Sequence, residues 1–194
     1  MTKIAALLLA AGNSRRMGGP NKLLMPFHGQ PLFKHAVNAI ANANFAERIL
    51  VTGRDNAETK KHAPAFTIVH NPLFEQGFGT SLAAGFSALI EKPEIGGALV
   101  MLADMPFITA EHLDRLIDAF DGISVIRPAH EGVPGNPVVL PRKLFAAMTR
   151  LGGDQSGQAL IKASGLEVTL VESGPACLAD IDTQENFAAY QRAD

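Results

Sequence analysis

The chain has a single cysteine, Cys177, so it can form no intrachain disulfide and no zinc site built on cysteine pairs. That agrees with a reducing, cytoplasmic setting. Its six histidines (28, 35, 62, 70, 112 and 130) show no His-x₃-His or His–Cys grouping, which removes the common zinc frameworks as well. No apolar run approaches the ~18–20 residues of a membrane span. The run Ile4–Leu9 leads into Arg15-Arg16 with no small-residue cleavage site, and it reads as structure, not as a signal peptide. Ser14 lacks the Gly-x-Ser-x-Gly setting of a hydrolase nucleophile. Neither a Walker A loop nor the Gly-x-Gly-x-x-Gly dinucleotide fingerprint is present.

Acidic charge is missing from one region only. Residues 1–46 contain no Asp or Glu but carry Lys3, Arg15, Arg16, Lys22 and Lys34. That leaves 12 of the 17 Lys and Arg for the rest of the chain, against all 19 Asp and Glu. A net charge of −2 therefore hides a basic N-terminal quarter that can focus a field on an anion. A nucleic-acid binder would spread its bases over a face and raise the overall pI, so a sequence pI near 6.3 argues against that class.

With 47% hydrophobic and 19% charged residues in 194, the composition is that of one globular domain, residues 1–194. Apolar runs alternate with helical patterns. Strands are expected at Ile4–Leu9, Arg48–Val51, Phe66–Val69, Ala98–Leu102, Ile123–Ile126, Pro137–Leu140 and Glu167–Val171. Helices are expected at Pro31–Asn44, Asn56–His62, Thr80–Ile90, Glu111–Phe120 behind a Thr109 cap, Leu144–Leu151, Ser156–Lys162 and Thr183–Arg192. This alternation predicts an α/β fold: a mostly parallel, Rossmann-like three-layer sandwich with helices on both faces. The Pro-rich stretch from Pro128 to Pro141 breaks the alternation and predicts an antiparallel excursion or a substrate loop.

Chemistry gathers where strands end. After Ile4–Leu8 comes Leu9-Ala-Ala-Gly-Asn-Ser-Arg-Arg-Met-Gly-Gly-Pro-Asn-Lys22, a Gly-rich, doubly basic loop. Glycines let backbone N–H groups approach an anion, and Arg16 and Lys22 add fixed positive charge. An ordinary strand-to-helix turn with exposed arginines would account for the composition equally well. A second buried strand, Ala98–Leu102, ends at Ala103-Asp104-Met-Pro106. A carboxylate there suits Mg²⁺, which takes one or two carboxylates plus phosphate and water oxygens. It could also bond only its own turn. In Asp180-Ile-Asp182-Thr-Gln-Glu-Asn, Asp182 or Thr183 can cap the last helix. In Asn71-Pro-Leu-Phe-Glu-Gln-Gly77-Phe-Gly79-Thr-Ser81, two glycines feed a helix start. Free N–H groups and two hydroxyls would then face a base or phosphate, unless Thr80 or Ser81 merely caps the helix.

Together these segments resemble the MobA-like nucleotidyltransferases over about Ile4 to Tyr190. The Ala-Ala-Gly form is similar to the molybdenum cofactor cytidylyltransferase (MocA-like) branch; the guanylyltransferase branch shows Leu-Ala-Gly-Gly. The resemblance implies that Leu9, Ala10, Ala11, Gly12, Ser14, Arg16, Lys22 and Ser81 bind nucleotide. It further implies that Asp104 and Asp182 hold Mg²⁺, and that Arg16, Lys22 and Asp104 are catalytic. The implied reaction joins CMP from CTP to the phosphate of molybdenum-molybdopterin, with a xanthine dehydrogenase-type molybdenum hydroxylase as recipient. Asn136 stands where the family commonly has His, and Gln158 where it has Arg; both fall toward the second substrate. GTP as donor, another phosphorylated acceptor, or a non-catalytic cofactor carrier remain open alternatives. A nucleic-acid or membrane partner is not expected.

Overall fold

The computed structural model describes residues 2–12 and 21–191. Its centre is β1 (Lys3–Ala10), buried at every position after Lys3. A strand apolar on both faces has to be covered on both. Ile4, Ala6, Leu8 and Ala10 lie in one core, and Ala5, Leu7 and Leu9 in the other, as the two-residue pleat requires. β1 pairs in parallel with β4 (Glu47–Thr52) on one side and β6 (Ile95–Leu102) on the other. β5 (Thr67–His70) extends the sheet beyond β4. On the other flank stand β9 (Val138–Pro141), β7 (Val125–His130) and β10 (Val168–Glu172). The resulting order is β10-β7-β9-β6-β1-β4-β5. β9 is antiparallel to both β6 and β7, whereas the other strands on that path run with β1.

The first core is roofed by α1 (Leu32–Asn42) and α4 (Ala110–Asp118) through Leu32, Phe33, Val37, Ile40, Leu113 and Leu116. The second is roofed by α3 (Phe78–Ile90) and α5 (Phe145–Met148) through Leu82, Phe86, Leu89, Phe145 and Met148. The expected three-layer α/β architecture is therefore present. Thr109 caps α4, as its sequence suggested. α2 (Asn56–Lys61) and α6 (Gln158–Ser164) occupy connections, and α7 (Gln184–Gln191) anchors itself by buried Phe187. Among the described residues no helix is long and apolar enough to cross a membrane.

One hairpin stands where no strands are expected, and a second forms within the Pro-rich excursion. β2 (Pro26–Phe27) pairs with β3 (Gln30–Pro31), and β7 pairs with β8 (Val133–Pro134). Their two-residue turns, His28-Gly29 and Glu131-Gly132, have positive φ at both positions, the twist that two-residue hairpins favour. β8 and β9 are the antiparallel excursion expected from the prolines. Pro128 itself lies inside β7, which runs four residues past the expected end at Ile126.

The parallel strands deliver their C-terminal ends to one edge, where ligands of open α/β sheets collect. Pairing continues past the strands: Ala103 N–H donates to the Leu9 carbonyl (3.1 Å) and Asn71 N–H to that of Thr52 (2.8 Å). At the same edge the 152–155 loop closes over the start of α3. Gly79 N–H donates to the Gly153 carbonyl at 2.8 Å. Gly77 adopts φ 124° and ψ 172°, backbone that glycine alone adopts readily, and a Cβ there would lie 2.4 Å from the Gly153 carbonyl carbon. Gly77→Ala should therefore cost about 2–4 kcal/mol, read as a lowered urea midpoint at unchanged slope. A wild-type midpoint would refute this account of the loop.

Candidate functional site

The site begins with the two strand ends that β1 and β6 bring side by side. Beyond β6 the chain turns through Ala103, Asp104 and Met105, where Pro106 prevents further pairing. Asp104 accepts at its main-chain carbonyl from Ile181 N–H (3.0 Å), which lays the 180–182 segment beside it. Ile181 is fully buried, so this segment is pinned by packing as well as by the bond. Thr183 Oγ1 accepts from Asn186 N–H (3.1 Å), the bond of an N-cap. The capping role left open between Asp182 and Thr183 thus falls to Thr183, and the Asp182 side chain is directed elsewhere.

It meets Lys22. Residues 22–24 form one 3₁₀ turn, with Asn21 accepting from Leu23 N–H at 3.1 Å as its cap. From that turn Lys22 Nζ donates to Asp104 Oδ2 (2.7 Å), Asp182 Oδ1 (2.8 Å) and the Ile181 carbonyl (2.8 Å). Three donors of one ammonium are satisfied by residues 82, 159 and 160 positions away. The Lys22 and Asp104 side chains are only 11% and 14% exposed, against 40% for Asp182, so Asp182 is the carboxylate on the open side.

Burial pushes the Lys22 ammonium toward its neutral form, but the charges and hydrogen bonds of Asp104 and Asp182 outweigh it. Its pKa stays above the usual lysine value. Asp180 is moved upward, first by burial and then by the carboxylates of Asp182 and Asp104, with Lys22 opposing. Among the described residues three carboxylates, Asp104, Asp180 and Asp182, thus act on one another around the Lys22 ammonium. Asp104 Oδ1 is buried with no hydrogen-bond partner among the described residues. An orphaned carboxylate oxygen beside a second carboxylate fits a hard divalent cation. Among the described residues no three His, Cys, Asp or Glu side chains form a self-sufficient cage. The donor set therefore suits an ion that takes its remaining ligands from phosphate and water.

The other anticipated residues distribute as follows. Leu9, Ala10 and Ala11 are buried and carry the main chain off the end of β1, with Gly12 exposed just beyond. The Leu9 carbonyl accepts from Ala103 N–H, and Ala10 still pairs with Thr52. Ser14 and Arg16 lie outside the described residues. Ser81 is 5% exposed, and its hydroxyl accepts from Asn71 Nδ2 at 3.1 Å. Asn71 also donates to Thr80 Oγ1 (2.9 Å), and Thr80 donates to the Leu73 and Gly77 carbonyls. Gly77 occupies the cap position of α3 without any side-chain cap bond, so neither hydroxyl caps that helix. The free N–H groups expected at Gly77–Gly79 are partly consumed, because Gly79 is bonded to Gly153 and Thr80 N–H to Gly77. These glycines serve a close approach of chain to chain. Asn136 N–H donates to the Cys177 carbonyl at 2.9 Å, tying the Pro-rich excursion to the segment that leads to Asp182. Gln158 begins α6 and is exposed.

Ile181 escaped the sequence reading because its contribution is a main-chain carbonyl. Asn71 stood inside a quoted motif, but only the structure shows it bonding the Thr80 and Ser81 hydroxyls of α3.

Comparison with known proteins agrees with this geometry. Residues 6–168 match the model of the MobA-like NTP transferase domain. A molybdenum cofactor cytidylyltransferase of Escherichia coli (strain K12) is 32% identical over 96% of this chain and 95% of its own length. The purine catabolism protein PucB of Bacillus subtilis (strain 168) is 28% identical over 98% and 97%. Among solved structures, Rv0371C of Mycobacterium tuberculosis H37Rv in complex with manganese superposes with a TM-score of 0.81 over the full length of both chains, at 22% identity. The match over 6–168 and the 32% identity along nearly the whole of both chains lead to one assignment: the chain belongs to the MobA-like NTP transferase family.

Proposed function

We propose that this NTP transferase is a Mg²⁺-dependent cytidylyltransferase that joins CMP from CTP to the phosphate of molybdenum-molybdopterin. The product would be molybdopterin cytosine dinucleotide, made in the cytoplasm for delivery to a molybdenum hydroxylase of the xanthine dehydrogenase type. The observation that carries the reading is the convergence of Lys22, Asp104 and Asp182 at the strand-end edge, with one Asp104 oxygen left over. The 32% identity to a cytidylyltransferase along nearly the whole chain supports the choice of donor and acceptor.

An acceptor phosphate oxygen is already a nucleophile at neutral pH, so the reaction needs no strong base and no covalent enzyme intermediate. The acceptor oxygen bonds to the α-phosphorus while the bond from α-phosphorus to the bridging oxygen breaks, and pyrophosphate leaves with that electron pair. Catalysis is then positioning and charge neutralisation. Lys22 stays protonated at neutral pH and would neutralise charge on the triphosphate, with Arg16 assigned the same task. Asp104 and Asp182 would hold the divalent cation, which when bound neutralises phosphate charge. Main chain at Ala10–Gly12 would face base or ribose, and Ser81 would position the base edge.

The first test is thermal unfolding with CTP, GTP or ATP, each with and without Mg²⁺. Saturation at about 100 times Kd adds ~2.7 kcal/mol, and the expected outcome is a Mg²⁺-dependent rise with CTP alone. A rise with GTP alone would overturn the cytidylyl assignment. Asp104→Asn should lower kcat for pyrophosphate release about 10²–10³-fold with the protein still folded by circular dichroism. Undiminished turnover would remove Asp104 from the mechanism. Lys22→Ala should lose turnover and, because it strands buried Asp104, about 2–4 kcal/mol of stability to urea, the share of part-exposed Asp182 being small. Unchanged stability would mean that the three-way contact holds nothing in place.

A further inference from the structure

We infer that Asp55 is a positioning residue for Lys22, acting through the side chain of Asn21. Its catalytic consequence rests on the nucleotidyl-transfer reading, whereas its geometry does not. Asp55 stands at the N-cap of α2, where an aspartate ordinarily accepts from a first-turn N–H, and it makes no such bond. Instead Asp55 Oδ2 accepts from Asn21 Nδ2 at 2.7 Å, across 34 residues of chain.

The main chain of Asp55 is secured independently. Its carbonyl accepts from Glu58 N–H, Thr59 N–H and Thr59 Oγ1, and Thr52 Oγ1 at the end of β4 donates to Asn56 Oδ1 at 2.8 Å. The carboxylate is therefore a fixed acceptor mounted on the sheet. What it fixes is the orientation of an amide. Asn21 Oδ1 must face Leu23 N–H to cap the turn that carries Lys22. Rotated by half a turn, the amide would set its NH₂ against that N–H, donor against donor. Asp55 can only accept, so it holds the NH₂ toward itself and excludes the wrong rotamer. Lys22 lies between the cap residue and the capped N–H, so its Cα is placed by the pair. Small displacements of a phosphate-neutralising group are costly in rate, which gives the clamp its purpose.

The test compares the full chain with Asn21→Asp, Asp55→Ala and the double variant Asn21→Asp with Asp55→Asn. Asn21→Asp alone sets two carboxylates against each other. In the double variant a carboxylate at 21 still accepts from Leu23 N–H, and an amide at 55 supplies the donor. Acetic anhydride labelling of nucleotide-free protein, followed by mass spectrometry, reads the reactivity of Lys22, with Lys92, paired to Glu47, as internal control. Each single variant should label Lys22 about tenfold faster than wild type, and the double variant at the wild-type rate, with Lys92 unchanged throughout. In turnover, the single variants should lose kcat at unchanged KM for the acceptor, and the double variant should regain it. Lys22 labelling within twofold of wild type in both single variants, or a double variant as reactive as Asn21→Asp, would overturn the clamp. Labelling that follows the expected pattern in a protein without transferase activity would uphold the clamp and reject the reading above it.

Discussion

The arrangement depends on one ammonium group held between two carboxylates, one from the middle of the chain and one from near its C-terminal end. Lys22 reaches Asp104 at 2.7 Å and Asp182 at 2.8 Å, and the carbonyl between them at 2.8 Å. With Lys22 and Asp104 nearly enclosed, desolvation costs each charge several kcal/mol, and only mutual attraction with good hydrogen-bond geometry offsets it. The contact is therefore costly to open from one side alone. It also closes the chain on itself: the turn after the glycine-rich loop, the exit from β6 and the approach to α7 meet at one nitrogen.

That meeting point follows from the sheet. β1 and β6 are adjacent and parallel, so Ala10 and Leu102 end together and whatever follows them shares a space. Seven buried positions in β1 could be stable only at the sheet centre, with a helical layer on each side. The reversed β9 separates β6 from β7, and the excursion containing it runs back through Asn136 to the Cys177 carbonyl. The irregular flank thus braces the 177–182 segment, and the regular flank supplies Lys22 and Asp104.

Much of this was legible in the residues. Apolar runs ending in Gly12 and Asp104 marked the strand ends, and the α/β alternation placed those ends on one edge. Element positions held to within a few residues wherever a run was long and periodic, as in Ile4–Leu9 or Thr80–Ile90. The β2–β3 hairpin was not legible because strands of two residues show no periodicity, although His28-Gly29 carries the glycine that such turns favour. Gly77-Phe-Gly79 suggests a helix start with free N–H groups, but Gly79 N–H is spent on Gly153 and both glycines give clearance to the 152–155 loop. A side chain's freedom from its local duty was not legible either. Asp182 and Asp55 both stand where an aspartate caps a helix, and only coordinates show Thr183 relieving one and Asn21 engaging the other.

The electrostatics also say something about the order of events at the site. Asp104 and Asp182 lie close enough to share one ammonium, and Asp180 is held toward its protonated form partly by their charge. If the ammonium left with nothing replacing it, the buried Asp104 carboxylate would be stranded beside part-exposed Asp182, which costs more than an exposed pair would. On the proposed reading, Lys22 turns toward the triphosphate as a divalent cation takes up the carboxylates. A triphosphate arriving with its divalent ion meets both needs at once: phosphate receives the lysine and metal receives the acids. A nucleotide without metal, or a metal without nucleotide, meets only one. On the proposed reading, metal and nucleotide binding are coupled by charge balance at Lys22, without any movement of the sheet.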